Sequence, residues 1–286
     1  MILHFTKMEG LGNDYVYVDC LNHMPANVPE IARRISDRHY GVGADGLILI
    51  CPSKRADFMM DMYNADGSRS KMCGNGIRCV GKYVYEHHLT NKTKLTIETL
   101  SGVKYLKLIT DKDSSSHETV KAVTVNMGVP IFKPGHIPVT LDRKVSIVKD
   151  EPVKIHGAVY HITCVSMGNP HCIIYTDNID SVPLHEVGPY IENACIFPER
   201  VNVSFVQTLD LSHIRMRVWE RGTGETLACG TGACAALVAG VINNRTDRRA
   251  DVWLKGGHLI IRWDEDKNCV YMTGPANTVY DGVIHI

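Results

Sequence analysis

The sequence carries no net charge, since its 31 lysines and arginines balance 31 aspartates and glutamates. A chain without a global field of either sign lacks the electrostatic signature of a nucleic-acid or acidic-membrane binder, which sets a basic binding module aside. Long hydrophobic runs are also missing. The most apolar stretch, Ala235 to Ile242, falls far short of the ~20 residues a membrane-spanning helix needs and reads as a buried helix. Met1 to Lys7 alternates like a strand and lacks the apolar core of a signal peptide, so a cytoplasmic protein is expected. There is no CxxC among the ten cysteines, and the spacings Cys73 to Cys79 and Cys229 to Cys234 fit no zinc pattern. No metal site is expected, and in a reducing compartment the cysteines are thiols. Cys20, Cys51, Cys164 and Cys269 lie in apolar segments and read as small core hydrophobes. No lysine stands in a pyridoxal-type context. The glycines of Gly41 to Gly46 are followed by a strand and not by Lys-Ser/Thr, so they are no phosphate loop and no organic cofactor is expected.

What is present is a repeated motif. Met72-Cys73-Gly74-Asn75-Gly76-Ile77-Arg78-Cys79 has a second version, Ala228-Cys229-Gly230-Thr231-Gly232-Ala233-Cys234, 156 residues later. Each CGxG turn precedes a helix-like run, Ile77 to His88 and Ala233 to Asn243. Helix N-termini carry unpaired amide donors and partial positive charge, so they stabilise thiolates and bind carboxylates. The same 156-residue offset relates Asn13 to Asn169, Leu47–Ile50 to Val203–Val206, and Asp61–Asn64 to Arg217–Glu220.

The elements fit a duplication. Strand-like runs at Leu3–Met8, Tyr15–Asp19, Leu47–Cys51 and Asp57–Tyr63, with a helix over Pro29–His39, precede the first motif, and three strands follow it. Gly10 to Asp14 reads as a hairpin turn, and Asp111 to Glu118 as a polar hairpin loop without assignable chemistry. Gly128 to Pro138, with its prolines and glycines, suits a crossover into a second copy of one mixed α/β domain, and Gly282 to Ile286 returns to the first.

Two equivalent thiols suit the inversion of a stereocentre, in which one group removes a proton from a carbon as base and another returns one as acid. Amides around Gly74–Gly76 and Gly230–Gly232 are placed to hold an α-carboxylate and to stabilise the enolate-like charge that develops. A buried thiol at each helix start, or a redox pair, is the competing reading of the residues.

At these residues the chain resembles the diaminopimelate epimerase family. The blocks are GLGNDY (10–15), GVGADG (41–46), YNADGS (63–68), MCGNGIRC (72–79), MGNPH (167–171), FPERVNVSFVQ (197–207), WERGTGETLACGTGA (219–233) and GPA (274–276). The resemblance implies an α+β (mixed α/β) fold with two pseudo-symmetric domains, residues 1–128 plus 275–286 and residues 129–274. Each would be a curved, mostly antiparallel sheet around a central helix, with the active site in the cleft between them. It implies a pyridoxal-phosphate-independent isomerase acting on a small amino acid, LL- or meso-diaminopimelate, in lysine synthesis, with no nucleic-acid or membrane partner.

Carried over by position, Cys73 and Cys229 resemble the base and acid, and His171 and Glu220 the residues that adjust their protonation. Asn13, Asn64, Asn169, Asn202 and Arg221 resemble the residues holding the distal amino-acid end, and Gly74, Asn75, Gly230 and Thr231 the cradle of the reacting carboxylate. Gly46 departs from members that have a glutamine there. Exposed strand edges in such folds are consistent with a homodimer. The alternatives are a proline or hydroxyproline racemase of the same fold, disfavoured by Arg221 and the asparagines, and a thiol redox protein.

Overall fold

Alternation of buried and exposed residues from Ile2 to Gly10 makes the first strand, β1, which a two-residue turn joins to β2 (Asn13–Asp19) in the computed structural model, which describes residues 2–112 and 118–286. Leu11 and Gly12 supply the turn's positive φ (59° and 80°), which leaves Asn13 as the first residue of a strand and not a turn residue. α1 (Val28–Ser36) buries Ile31, Ala32 and Ile35 against β3 (Gly46–Cys51) and β4 (Phe58–Asn64). A short β5 (Arg69–Ser70) leads into α2 (Gly74–Glu86), and β6 (Lys94–Thr99), β7 (Gly102–Lys112) and β8 (Glu118–Gly128) complete the run. The central part of the loop read as a polar hairpin, residues 113–117, lies outside the described residues. The last strand of the chain, Asn277–His285, pairs antiparallel with β1.

The second half repeats the plan with β9 (Glu151–Ile155), β10 (Ala158–Ser166), β11 (Pro170–Tyr175), α3 (Leu184–Glu192), β12 (Asn202–Asp210), β13 (His213–Glu220), β14 (Gly224–Thr226), α4 (Gly230–Ile242), β15 (Arg249–Leu254), β16 (Gly257–Trp263) and β17 (Val270–Gly274). The chain divides into two compact units, residues 1–126 with 273–286 and residues 127–272. Both are mixed α/β. In unit 1 most strand pairs are antiparallel and two, β2–β3 and β4–β6, are parallel.

The duplication extends to the hydrogen-bond register. Tyr15 pairs with Gly46 and His171 with Asn202; Leu47 pairs with Tyr63 and Val203 with Trp219; Met62 pairs with Ser70 and Val218 with Thr226. Each pair repeats 156 residues on, and so do both ends of α1 and α3 and of α2 and α4. Because a one-residue slip would turn every side chain to the other face of a strand, this identity places equivalent side chains at equivalent sites in the two units.

α2 packs on β1, β2 and β7; α4, buried nearly all round, packs on six strands of unit 2. The glycines after each cysteine form the first helical turn, so both helices begin three residues before the runs read from sequence. Among the described residues no helix is long and apolar enough to cross a membrane, and α4 has only 13 residues.

Candidate active site

In unit 1 Cys73 is the N-cap of α2, with extended backbone (φ −126°, ψ 122°). Its Sγ accepts the Gly76 N–H at 3.3 Å, satisfying one of the donors a helix start leaves unpaired. The thiol also donates to Asn13 Oδ1 at 3.2 Å, while Asn13 Nδ2 donates to Asp45 Oδ2 at 2.6 Å. The two bonds set the amide with its carbonyl toward sulfur, and Arg38 in turn holds Asp45 at 3.0 Å.

Gly74 and Asn75 are fixed from beneath by Arg78, which is fully buried; its Nη1 donates to Gly74 O at 3.2 Å and to Asn75 Oδ1 at 3.0 Å, and its Nε to Pro275 O at 2.9 Å. The β1 hairpin approaches only because Gly10 has no side chain, since a Cβ there would lie 3.0 Å from Arg78 Nη2 and 3.2 Å from Asn75 O. Asn64 sits opposite Gly46 at the end of β4, and its Nδ2 donates to Ser68 Oγ at 2.9 Å within the turn.

Gly46 has a steric reason. A Cβ would meet Tyr63 O at 2.2 Å and the Tyr15 ring at 2.8 Å. This backbone therefore excludes the glutamine side chain that the position holds in some members of the family resembled. Gly46→Gln is expected to destabilise the protein by about 3 kcal/mol, at the upper end for overpacking because the nearest atom is backbone; urea unfolding with an unchanged midpoint would contradict this.

In unit 2 Cys229 caps α4 in the same extended conformation (φ −119°, ψ 107°), and it is buried. The sequence leads one to expect a thiol eased toward its anion by the helix start. The structure reverses this: burial first, then the charge of neighbouring Glu220, push the Cys229 thiol well up, against the Thr231 hydroxyl and Gly232 N–H that favour the thiolate. A helix terminus contributes a partial charge, whereas burial removes solvation from a whole one. Cys229 is therefore a protonated thiol at neutral pH. Glu220 accepts the Thr226 hydroxyl at 2.5 Å, which ties the end of β13 to β14.

A polar chain runs toward this thiol. His171 Nε2 donates to Asn169 Oδ1 at 3.1 Å, Asn169 Nδ2 donates to Thr231 Oγ1 at 3.3 Å, and the Thr231 hydroxyl shares a hydrogen bond with Cys229 Sγ, 3.6 Å away, in which either group can be the donor. The first two directions follow from one another, since an amide oxygen can only accept and its nitrogen only donate. His171 is completely buried; burial, and secondarily the charge of Arg221, lower its pKa to about 3, so the ring is neutral. Its Nδ1 has no hydrogen-bond partner among the described residues. Asn202, paired with His171 across β11 and β12, donates to Pro170 O at 2.8 Å and accepts the Arg221 N–H at 3.0 Å; Arg221 Nη1 donates to Glu199 O at 2.9 Å.

The residues singled out from sequence thus fall into two clusters. Unit 1 brings together Asn13, Cys73, Gly74 and Asn75, with Asn64 at the neighbouring strand end. Unit 2 brings together Asn169, His171, Asn202, Glu220, Arg221, Cys229, Gly230 and Thr231. The amides of Asn13 and Asn202 are engaged within the protein, on Cys73 with Asp45 and on Pro170 with Arg221. Sequence reasoning passed over Asp45, Arg78 and Thr226. Asp45, Arg78 and Thr226 lie inside the blocks GVGADG, MCGNGIRC and WERGTGETLACGTGA, and that was the only available signal.

A family model described as diaminopimelate epimerase matches residues 5–133 and 163–279. The chain is 53% identical over 284 residues, 99% of each chain, to the diaminopimelate epimerase of Acetivibrio thermocellus. It is 50% identical over 286 residues, 100% of each chain, to that of Leptospira biflexa. Among solved structures, a phenazine biosynthesis protein of the PhzF family from Bacillus anthracis is similar with a TM-score of 0.70 at 18% identity, covering 100% of both chains. A likeness at that identity concerns the fold alone.

Proposed function

The chain belongs to the diaminopimelate epimerase family, and from that premise we propose that it interconverts LL- and meso-2,6-diaminopimelate in lysine and peptidoglycan precursor biosynthesis, with Cys73 and Cys229 as the proton-transfer pair. The observation that carries the reading is the cysteine at the N-cap of a helix in each unit, in identical register. Epimerisation needs a base on one face of the α-carbon and an acid on the other. Cys229, held protonated by burial and by Glu220, serves as the acid, and Cys73, whose thiol donates to Asn13 in the free protein, serves as the base once that proton has been released to solvent. The Cys73 thiolate takes the α-proton, the Cys229 thiol gives its own to the opposite face, and the pair is left ready for the reverse direction.

Backbone amides at the first turns of α2 and α4, around Gly74, Asn75, Gly230 and Thr231, offer donors to the reacting carboxylate and to the charge that builds on it. Arg221 offers a guanidinium fork to the distal carboxylate, with Asn13, Asn64 and Asn169 around the distal ammonium. Asn202 acts through Arg221, whose backbone it holds. His171 supports Thr231 through Asn169 in its neutral form. The reading includes a cytoplasmic protein and a homodimer; the exposed apolar Val279, Tyr280 and Val283 of the last strand support the latter.

In deuterated water LL-diaminopimelate is expected to gain deuterium at its α-carbon as it epimerises, while lysine and proline do not. Failure of the fully reduced protein to incorporate deuterium, read by mass spectrometry, would sink the proposal.

A further inference from the structure

Glu192 at the end of α3 is a buried carboxylate, 5% exposed, that the reaction described so far does not use. Its Oε2 accepts the Trp219 indole N–H at 2.7 Å; its Oε1 accepts the Gly222 backbone N–H at 2.8 Å and faces Arg200 Nη1 at 3.4 Å. Trp219 and Gly222 are the residues on either side of Glu220 and Arg221. A single carboxylate thus grips both ends of the segment that carries the distal-end arginine. The helix is shaped to allow it. Gly188 lies one turn before Glu192 on the same face, and a Cβ there would stand 2.8 Å from the Trp219 ring, so only glycine admits the indole alongside the helix.

The fold itself does not call for this carboxylate. In unit 1 the equivalent helix α1 packs on the equivalent strands with Ser36 at the matching position, and Ser36 Oγ has no hydrogen-bond partner among the described residues. The counterparts of Glu220 and Arg221 there are Asn64 and Ala65. Since removing a carboxylate from water is unfavourable unless strong donors meet it, its presence only in the unit that carries the arginine needs a reason beyond packing.

We propose that Glu192 is a positioning residue for Arg221: by holding Trp219 and Gly222 it fixes the backbone from which the guanidinium addresses the distal carboxylate of the substrate. The inference rests on the role assigned above to Arg221. Asn202 on the Arg221 N–H and Glu199 O on its guanidinium complete the mounting from the other side.

Glu192→Gln keeps the length of the side chain but turns an amide NH2 toward one of the two N–H donors. The variant is expected to raise KM for LL-diaminopimelate about tenfold with kcat within about threefold, the pattern of lost ground-state positioning. In an Arg221→Ala background the same substitution is expected to leave KM unchanged. A Glu192→Gln variant with wild-type KM, or one that raises KM equally in both backgrounds, overturns the proposal, because a merely structural carboxylate would act additively. Should Glu192→Gln fail to fold, Trp219→Phe removes one donor while keeping a ring, and the same loss of effect in the Arg221→Ala background is required of it. Wild-type protein is the control: absence of turnover rejects the function, whereas turnover without this coupling rejects only the role of Glu192.

Discussion

Cys73→Ala and Cys229→Ala are each expected to abolish epimerisation of LL-diaminopimelate, with kcat lower by about 10³-fold or more, within the range that positioned acids and bases contribute. Neither loss would come from unfolding. Cys73→Ala removes the cap on Gly76 N–H, worth about 1 kcal/mol. Cys229 makes no side-chain cap bond within α4, so its replacement costs the packing of a small buried group and its 3.6 Å contact with the Thr231 hydroxyl. Thermal melts should therefore show folded proteins. The two variants should also differ in what survives. A protein with only Cys73 can still exchange the α-hydrogen of the diastereomer presented to that face, and a protein with only Cys229 that of the other, without inversion in either case. Near-normal epimerisation by either variant would refute the pairing. Exchange of the same diastereomer by both would refute the assignment of opposite faces.

The duplication was legible because it is written in a constant offset, and the offset proved to govern register as well as motif position. It could have supplied one element that local pattern hides: α3 lies 156 residues after α1 at both ends, yet Pro189 within it and Gly188 beside it obscure a helical period. The helix starts were misplaced for a related reason. Glycines read as turns in isolation, but Gly76 is a helical residue that is glycine because a Cβ would come within 2.7 Å of Ile48 Cδ1, a contact across the fold that no local window contains.

At the site, the side chains proposed to bear the chemistry were singled out by the repeat and by resemblance, whereas the residues that bond to them were not. Asp45 behind Asn13, Thr226 on Glu220 and Glu192 on Trp219 are joined by bonds between segments that the chain separates. The protonation of Cys229 was likewise out of reach, since it depends on burial that outweighs the helix terminus.

His171 is the group from which the largest pH effect on stability is expected. In the unfolded chain an imidazole titrates near ~6.5, while in the folded protein burial and the charge of Arg221 lower this to about 3. Above pH ~6.5 both states are neutral and the residue has no effect on pH dependence. As the pH falls below that value the unfolded chain takes up a proton that the folded protein refuses, so stability drops until the folded value is reached. The loss between pH 6.5 and 5 amounts to about 2 kcal/mol, from 1.4 kcal/mol per pH unit for one proton.

Carboxylates do not confuse this window. Glu225, held near about 2 despite its burial by Arg217 and Lys255, and Asp210, held near about 2 by Ser212 and His213, lose their contribution only below the ordinary carboxylate range. Urea titrations of the wild type should therefore show a slope between pH 6.5 and 5 that His171→Asn removes. An identical slope in that variant would mean that the imidazole is not held neutral. Neutrality matters to the chemistry too. With its proton on Nε2 the ring donates to Asn169, which leaves Asn169 Nδ2 for Thr231 and sets the Thr231 hydroxyl beside Cys229. Breaking that chain at His171 should lower kcat as well as flatten the pH dependence of unfolding, so one substitution tests both the buried charge and the relay it supports.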